Sequence, residues 1–144
     1  MVRIKSRYLL FNILYPTTPS SNPSDHTTPT HLDFNSPTDP TVTPQLLTSL
    51  IRDAILLQFG DWGSGMTSSL SVKYFSPITS TGILRCPREH HRLVWAALTL
   101  IKEILGKPVV IRVVRVSGTI KKAEQEGIRR AKEEIRLVRR LEME

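Results

Sequence analysis

The sequence predicts an α+β sandwich of order βαββαβ with an additional C-terminal helix, and three observations carry that prediction. Apolar patterns of period two and period 3.6 alternate along the chain in that order. A Pro/Ser/Thr-rich tract sets the first strand apart from everything after it. The stretch from Thr119 to Leu141 is one apolar stripe on a heavily charged background.

Val2 to Phe11 reads as the first strand, with Arg3, Lys5 and Arg7 on one side and Val2, Ile4, Tyr8 and Leu10 on the other. Residues 16–44 follow, holding 7 of the 10 prolines, 12 Ser or Thr, three Asp and no Lys or Arg. Such a composition buries too little apolar surface to offset the entropy of ordering, so a disordered insertion is expected at 16–44. Thr43 then caps a helix with Pro44 at its first position. Leu47, Leu50, Ile51, Ala54 and Leu57 follow at helical spacing, and Gly60 ends it. Leu70, Val72 and Tyr74 alternate with Ser71, Lys73 and Phe75 in a second strand. Gly82 to Cys86 makes a third, and the two are expected to form a hairpin around Pro77.

Pro87 to Leu105 presents Val94, Ala97, Leu98, Ile101 and Leu105 on one helical face, with Gly106 and Pro108 as the stop. Val109 to Val116 is β-branched apart from Arg112 and Arg115, the composition of a central strand. The closing helix carries Ile120, Ala123, Ile128, Ala131, Ile135 and Val138 on one stripe. The first six elements are the split βαβ order of ferredoxin-like and RNA-recognition-like folds, whose sheet has helices on one face and an open face needing cover from the last helix, a protein or RNA. That fold does not fix function.

Composition narrows the field. Outside residues 16–44, 115 residues carry 20 Lys and Arg against 10 Asp and Glu, an excess of ten positive charges where the whole chain has seven. A body that basic calls for an anionic partner. The single Cys86 cannot make an internal disulfide or a Cys-based zinc cluster, which fits an intracellular protein. The apolar run from Leu93 to Leu98 extends at most to Ile101, far short of the ~20 residues that cross a bilayer, and the N-terminus lacks the apolar block of a secretory signal.

Two constellations suit an anion. Arg3, Lys5 and Arg7 recur about every 6–7 Å along an extended strand, close to the spacing of successive phosphates. Ser117-Gly118-Thr119-Ile120-Lys121-Lys122 runs from a strand end into a helix start, where free N–H groups favour an anion and two lysines oppose the helix dipole. The plain alternatives are a solvated edge strand and an ordinary helix cap. Arg88 and Arg92, one turn apart at a helix start, are further RNA or structural contacts. From Thr119 to the last residue, eight Lys or Arg face six Glu, mostly as a solvated salt-bridge face.

Other motifs carry less. In Cys86-Pro87-Arg88-Glu89-His90-His91 the adjacent histidines diverge by about 100° on a helix and share no metal, and Cys86 sits in a buried strand. Gly60-Asp61-Trp62-Gly63-Ser64-Gly65 follows a helix, contains an acid and lacks a Lys-Ser/Thr ending, so it reads as a turn rather than a phosphate loop. The third strand has no stacking aromatics, which points RNA contact toward shape and phosphate rather than splayed bases. Thr18, Thr28, Ser36 and Thr43 precede proline, a phosphorylation context that low complexity produces equally well by chance.

The opening Met1 to Leu10 resembles that of the ribonuclease P/MRP protein subunits called processing-of-precursors subunit five. The likeness continues through Ile51-Arg52-Asp53-Ala54-Ile55 with Phe59-Gly60, Val72-Lys73-Tyr74, Thr81 to Cys86, Leu93 to Leu98, and Ser117-Gly118-Thr119-Ile120. It covers nearly everything outside 16–44, and six short motifs in order make it specific. The Pro/Thr tract is the departure, and it suggests a eukaryotic rather than archaeal member.

The resemblance implies a single RNA-binding subunit domain over 1–144, non-catalytic, in an RNA-based endonuclease that removes 5′ leaders from precursor tRNA. The related MRP particle acts in ribosomal RNA processing. It implies the ribonuclease P/MRP RNA, the barrel-fold subunit and other subunits as partners, precursor tRNA nearby, no membrane, and a nuclear and nucleolar location. It implies no cofactor on the protein, with Mg²⁺ on the RNA. Carried onto this chain, the RNA contacts are expected at Arg3, Lys5, Arg7, Arg88, Arg92, Ser117, Thr119, Lys121 and Lys122, and partner docking at the apolar faces of the second and last helices. Two competing readings remain: a protein-protein adaptor without RNA contact, and an acylphosphatase-like hydrolase. The hydrolase needs an Arg-bearing phosphate loop after the first strand, where this chain has a tract without a single Arg.

Overall fold

A computed structural model of the chain describes residues 5–16 and 37–143. Strand β1 (Ser6–Leu14) leads to helix α1 (Pro44–Met66), the hairpin β2 (Ser71–Ser76) and β3 (Thr81–Pro87), and helix α2 (His91–Leu100). A two-residue hairpin, β4 (Glu103–Ile104) and β5 (Lys107–Pro108), precedes β6 (Val110–Ser117) and helix α3 (Ile120–Met143). The main sheet has the order β2-β3-β1-β6, antiparallel at every step, with β1 and β3 in the centre. This is the expected βαββαβ sandwich with its extra helix. No described helix is long and apolar enough to cross a membrane.

The centre of the sheet is buried on both faces because β1 is apolar on both. Leu9, Phe11 and Ile13 pack with Leu47, Ile51, Ile55, Val94, Ala97 and Leu98 of α1 and α2 to form the main core. Leu10 and Ile83 face the other way and meet Ala123 of α3, with Tyr8 and Val114 beside them. Phe11 stacks on Phe75 at 6.4 Å, an arrangement that Gly82 makes possible by leaving the ring's edge uncovered.

The elements differ from expectation where one residue changes the backbone course. Thr43 caps α1, accepting from the Leu46 N–H at 3.2 Å, but Gly60 (φ 68°) kinks the helix and does not end it. Gly60–Gly65 is therefore a kink followed by helix rather than a turn. The buried stripe of α1 is Leu47, Ile51 and Ile55, and Leu57 is 81% exposed. A bulge between Val72 and Tyr74 switches the parity of β2, placing Val72 and Phe75 inside and Tyr74 outside. The second helix is shorter than the expected Pro87–Leu105. It begins after a 3-10 turn at Arg88–His90, and Leu105 (φ 51°) with Gly106 (φ 80°) makes a two-residue hairpin loop. Strand β6 lies at an edge, not the centre, with only Ile111 and Ser117 buried.

Of the insertion expected to be disordered at 16–44, residues 17–36, including Thr18, Thr28 and Ser36, lie outside the described residues, while 37–44 belong to the packed body. Thr38 is buried, its hydroxyl 2.8 Å from Tyr15 Oη and 2.7 Å from Ser80 Oγ, and Val42 joins the main core. A few polar groups satisfied by buried partners are enough to hold this end in place.

Candidate nucleic-acid interface

Antiparallel pairing brings the start of β1, the end of β3 and the end of β6 to one edge of the sheet. Ser6 pairs with Pro87 and Tyr8 with Ser117, and the Arg88 N–H donates to the Lys5 carbonyl at 3.1 Å. The strand that bears Lys5 and Arg7 therefore abuts both the turn that bears Arg88 and the turn that starts α3. A Cβ placed on Gly118 would lie 3.8 Å from Arg7 Nη1. Arg7 Nη1 itself donates to the Ser6 carbonyl at 3.2 Å, which holds the guanidinium at this edge.

The sites expected from sequence fall into place as follows. Lys5, Arg7, Arg88, Ser117 and Thr119 share this edge, Arg92 stands in the first turn of α2, and Lys121 and Lys122 occupy the first turn of α3. Arg3 lies outside the described residues. Sequence reasoning passed over Arg85, whose Nε donates to Ser6 Oγ at 3.2 Å and which faces outward on β3. Its only signal was alternation with the buried Cys86. Lys5, Arg7, Arg85, Arg88, Arg92, Lys121 and Lys122 form no ion pair with a described residue. Lys5, Arg7, Arg85 and Arg88 thus gather at one strand end, and Arg92, Lys121 and Lys122 stand in the first turns of the helices that follow β3 and β6, with Glu89 and Glu124 as exposed acids beside them in sequence among the described residues.

Thr119 is the N-cap of α3, its hydroxyl accepting from the Lys122 N–H at 3.3 Å. Ser117 is 5% exposed, and its Oγ is buried with no hydrogen-bond partner among the described residues. A hydroxyl in that state leaves unmet hydrogen-bonding capacity beside the free N–H groups of a helix start.

The arginines farther along α3 are engaged differently. Glu126, 8% exposed, accepts from Arg129 at 2.6 Å, Arg130 at 3.1 Å and Arg115 of β6 at 3.4 Å, and Arg129 also pairs with Glu133. The Arg129 hydrogen bond, reinforced by the charges of all three arginines against an opposing burial effect, holds the Glu126 carboxyl down to about 2. This hub ties α3 to β6 and consumes positive charge in the middle of the sheet face.

The remaining reactive side chains have structural roles. Cys86 is buried, and burial pushes its thiol up to about 12, far from the thiolate a nucleophile needs. His90 meets Trp62 edge-on at 5.7 Å, whereas His91 Nδ1 sits 2.8 Å from the Arg88 carbonyl, so the two rings diverge.

Known proteins were compared with this chain. The family model described as "Rpp14/Pop5 family" matches residues 7–128. A relative from Schizosaccharomyces pombe, "Ribonuclease P/MRP protein subunit POP5", is 55% identical over 137 residues, covering 94% of this chain and 91% of its own length. The protein of the same name from Saccharomyces cerevisiae is 42% identical over 136 residues, covering 90% and 77%. "Probable ribonuclease P/MRP protein subunit POP5" of Arabidopsis thaliana is 36% identical over 135 residues, covering 92% and 81%.

Proposed function

This chain belongs to the Rpp14/Pop5 family, and on that premise we propose that it is a non-catalytic subunit of the ribonuclease P and MRP particles that grips their RNA through the basic sheet edge. The reading is supported by the names of its relatives. One observation carries the RNA contact: the strand registers bring cations unpaired among the described residues, Lys5, Arg7, Arg85 and Arg88, to the sheet end where the capped start of α3, with Lys121 and Lys122, and the buried Ser117 hydroxyl also lie. Phosphate suits that edge, because its charge relieves the repulsion among the cations and its oxygens accept from backbone N–H groups.

In this reading the protein makes and breaks no bond. Its positive charge offsets phosphate repulsion in a packed RNA, whose own Mg²⁺ performs the hydrolysis that frees the 5′ leader of precursor tRNA or processes ribosomal RNA. The barrel-fold subunit and other proteins of the particle dock on helical faces, and the work takes place in the nucleus and nucleolus. The test is equilibrium binding of the full chain to the transcribed ribonuclease P RNA at several salt concentrations. Log affinity falls linearly with log salt if the edge grips phosphate. An affinity indifferent to salt favours a protein-protein adaptor instead.

A further inference from the structure

Helix α3 keeps its charges apart. Spacing alone predicts a face laced with salt bridges, yet only Arg129 and Arg130 of its eight Lys and Arg pair with a carboxylate among the described residues. At about 100° per residue, all of the eight but Arg130 fall within an arc of about 100° around the axis. The five Glu of the helix lie outside that arc, and the nearest, Glu133, is paired with Arg129. The arc points away from the sheet: the buried Ala123 is on the other side of the helix, and every cation in the arc is exposed. The free cations form two groups. Lys121 and Lys122 stand in the first turn, continuous with the basic edge, and Lys132, Arg136, Arg139 and Arg140 stand in the distal half, none paired with a described residue. About 28 Å separates Lys121 from Arg140, and about 15 Å separates Lys122 from Lys132. Between the groups the arc holds the uncharged Gln125 and Arg129, whose charge is taken up by Glu126 and Glu133.

We propose that this outer face of α3 lies across the minor groove of double-helical RNA, with one cation group on the phosphates of each strand. The gap of about 15 Å is over twice the spacing of successive phosphates, so the two groups suit strands facing each other across a groove better than neighbouring phosphates of one strand. The wide, shallow minor groove of an RNA duplex admits a helix face laid over it and presents 2′-hydroxyls beneath, where the exposed Gln125 can donate or accept. A single strand fits less well, because it is held by bases stacked on aromatic rings and residues 119–144 carry none. A protein fits less well too: from Lys121 to Arg140 the arc holds no apolar side chain, and a protein interface needs an apolar centre. The inference rests on the RNA-binding reading above, and adds to it a second surface and the form of RNA that surface takes.

The experiment titrates the full chain against a blunt RNA duplex of about 20 base pairs, and against one of its strands alone, at several salt concentrations. Lys132→Gln, Arg136→Gln and Arg140→Gln together, all at exposed positions, are expected to flatten the duplex slope of log affinity against log salt by roughly 2–3, and the single-strand slope by less than about 1. The charge-keeping set Lys132→Arg, Arg136→Lys and Arg140→Lys leaves both slopes as they were, and circular dichroism checks that both variants keep their helix content. A duplex slope that ignores the Gln set overturns the proposal. So does a charge-keeping set that flattens it equally, or an equal loss of slope for duplex and single strand; each of these leaves the basic edge to be judged by its own variants. An unmodified chain whose affinity for both probes ignores salt overturns the RNA-binding reading itself, and this inference with it.

Discussion

Replacing Arg7 and Lys121 together by alanine tests the basic edge quantitatively. If each of the seven unpaired cations neutralises one phosphate, the slope of log affinity against log salt is roughly −5, taking about −0.7 per phosphate for single strands. Between 50 and 200 mM salt the unmodified chain then loses about 1,000-fold in affinity. The double variant, gripping two phosphates fewer, has a slope of roughly −3.5 and loses about 130-fold over the same range. The assay is filter binding or fluorescence anisotropy with the transcribed RNA, and circular dichroism checks that both chains are folded. Arg112→Ala, at the far end of the sheet, is the control and leaves the slope unchanged. A double variant whose slope matches the parent, or a control that flattens it as much, refutes the assignment of phosphate contact to this edge.

Gly82→Ala puts a methyl 2.5 Å from Phe11 Cζ and 2.9 Å from the Tyr74 carbonyl oxygen. Because Phe11 is fully buried, it destabilises the fold by about 1–3 kcal/mol and lowers Tm by about 2–12 °C in a thermal melt. The Glu126 carboxyl, held at about 2 in the folded chain against 4.5 ordinarily, contributes stability that is present above pH 4.5 and lost as pH falls toward 2. Acid titration followed by Tm shows that loss, and Glu126→Gln removes the pH-dependent part while weakening the hold of α3 on β6. Cys86 resists iodoacetamide in the native chain at pH 8 and reacts once the chain is unfolded in guanidinium; labelling at equal rates contradicts its burial.

The order of elements was legible because apolar periodicity reports which face is buried, and each helix and strand of the sandwich buries at least one. What was hidden depends on single residues that redirect the chain. Lys73 at the β2 bulge exchanges the places of Tyr74 and Phe75, a switch that strict alternation cannot reveal. Leu105 carries a positive φ that its side chain gives no sign of, so a helix pattern ran on through a hairpin. The β-branched run of β6 marks a strand but not its position, since an edge strand with a helix above and below reads much like a central one. At the candidate site, Lys5, Arg7 and Lys121 were visible as charges at strand and helix ends. Their meeting was not, because it follows from the β1–β3 and β1–β6 registers. Glu126 was one glutamate among five on α3, and only the fold shows that it gathers three arginines.

The position of α3 decides how an RNA can be held. Base-reading modules of this fold stack unpaired bases on the open sheet face. Here Ala123 sits over Leu10 and Ile83 in the centre of that face, and Glu126 draws Arg115, Arg129 and Arg130 into its own network. The centre is therefore both covered and partly neutralised. Strand β1 has nine residues, so about 27 Å separates its two ends. Cations unpaired within the described fold gather at the Ser6 end, and aliphatic surface opens at the other. An anionic polymer is attracted to the first and gains little from the second, so under the proposed function the phosphates of an RNA, and not its bases, are expected at the rim of the sheet.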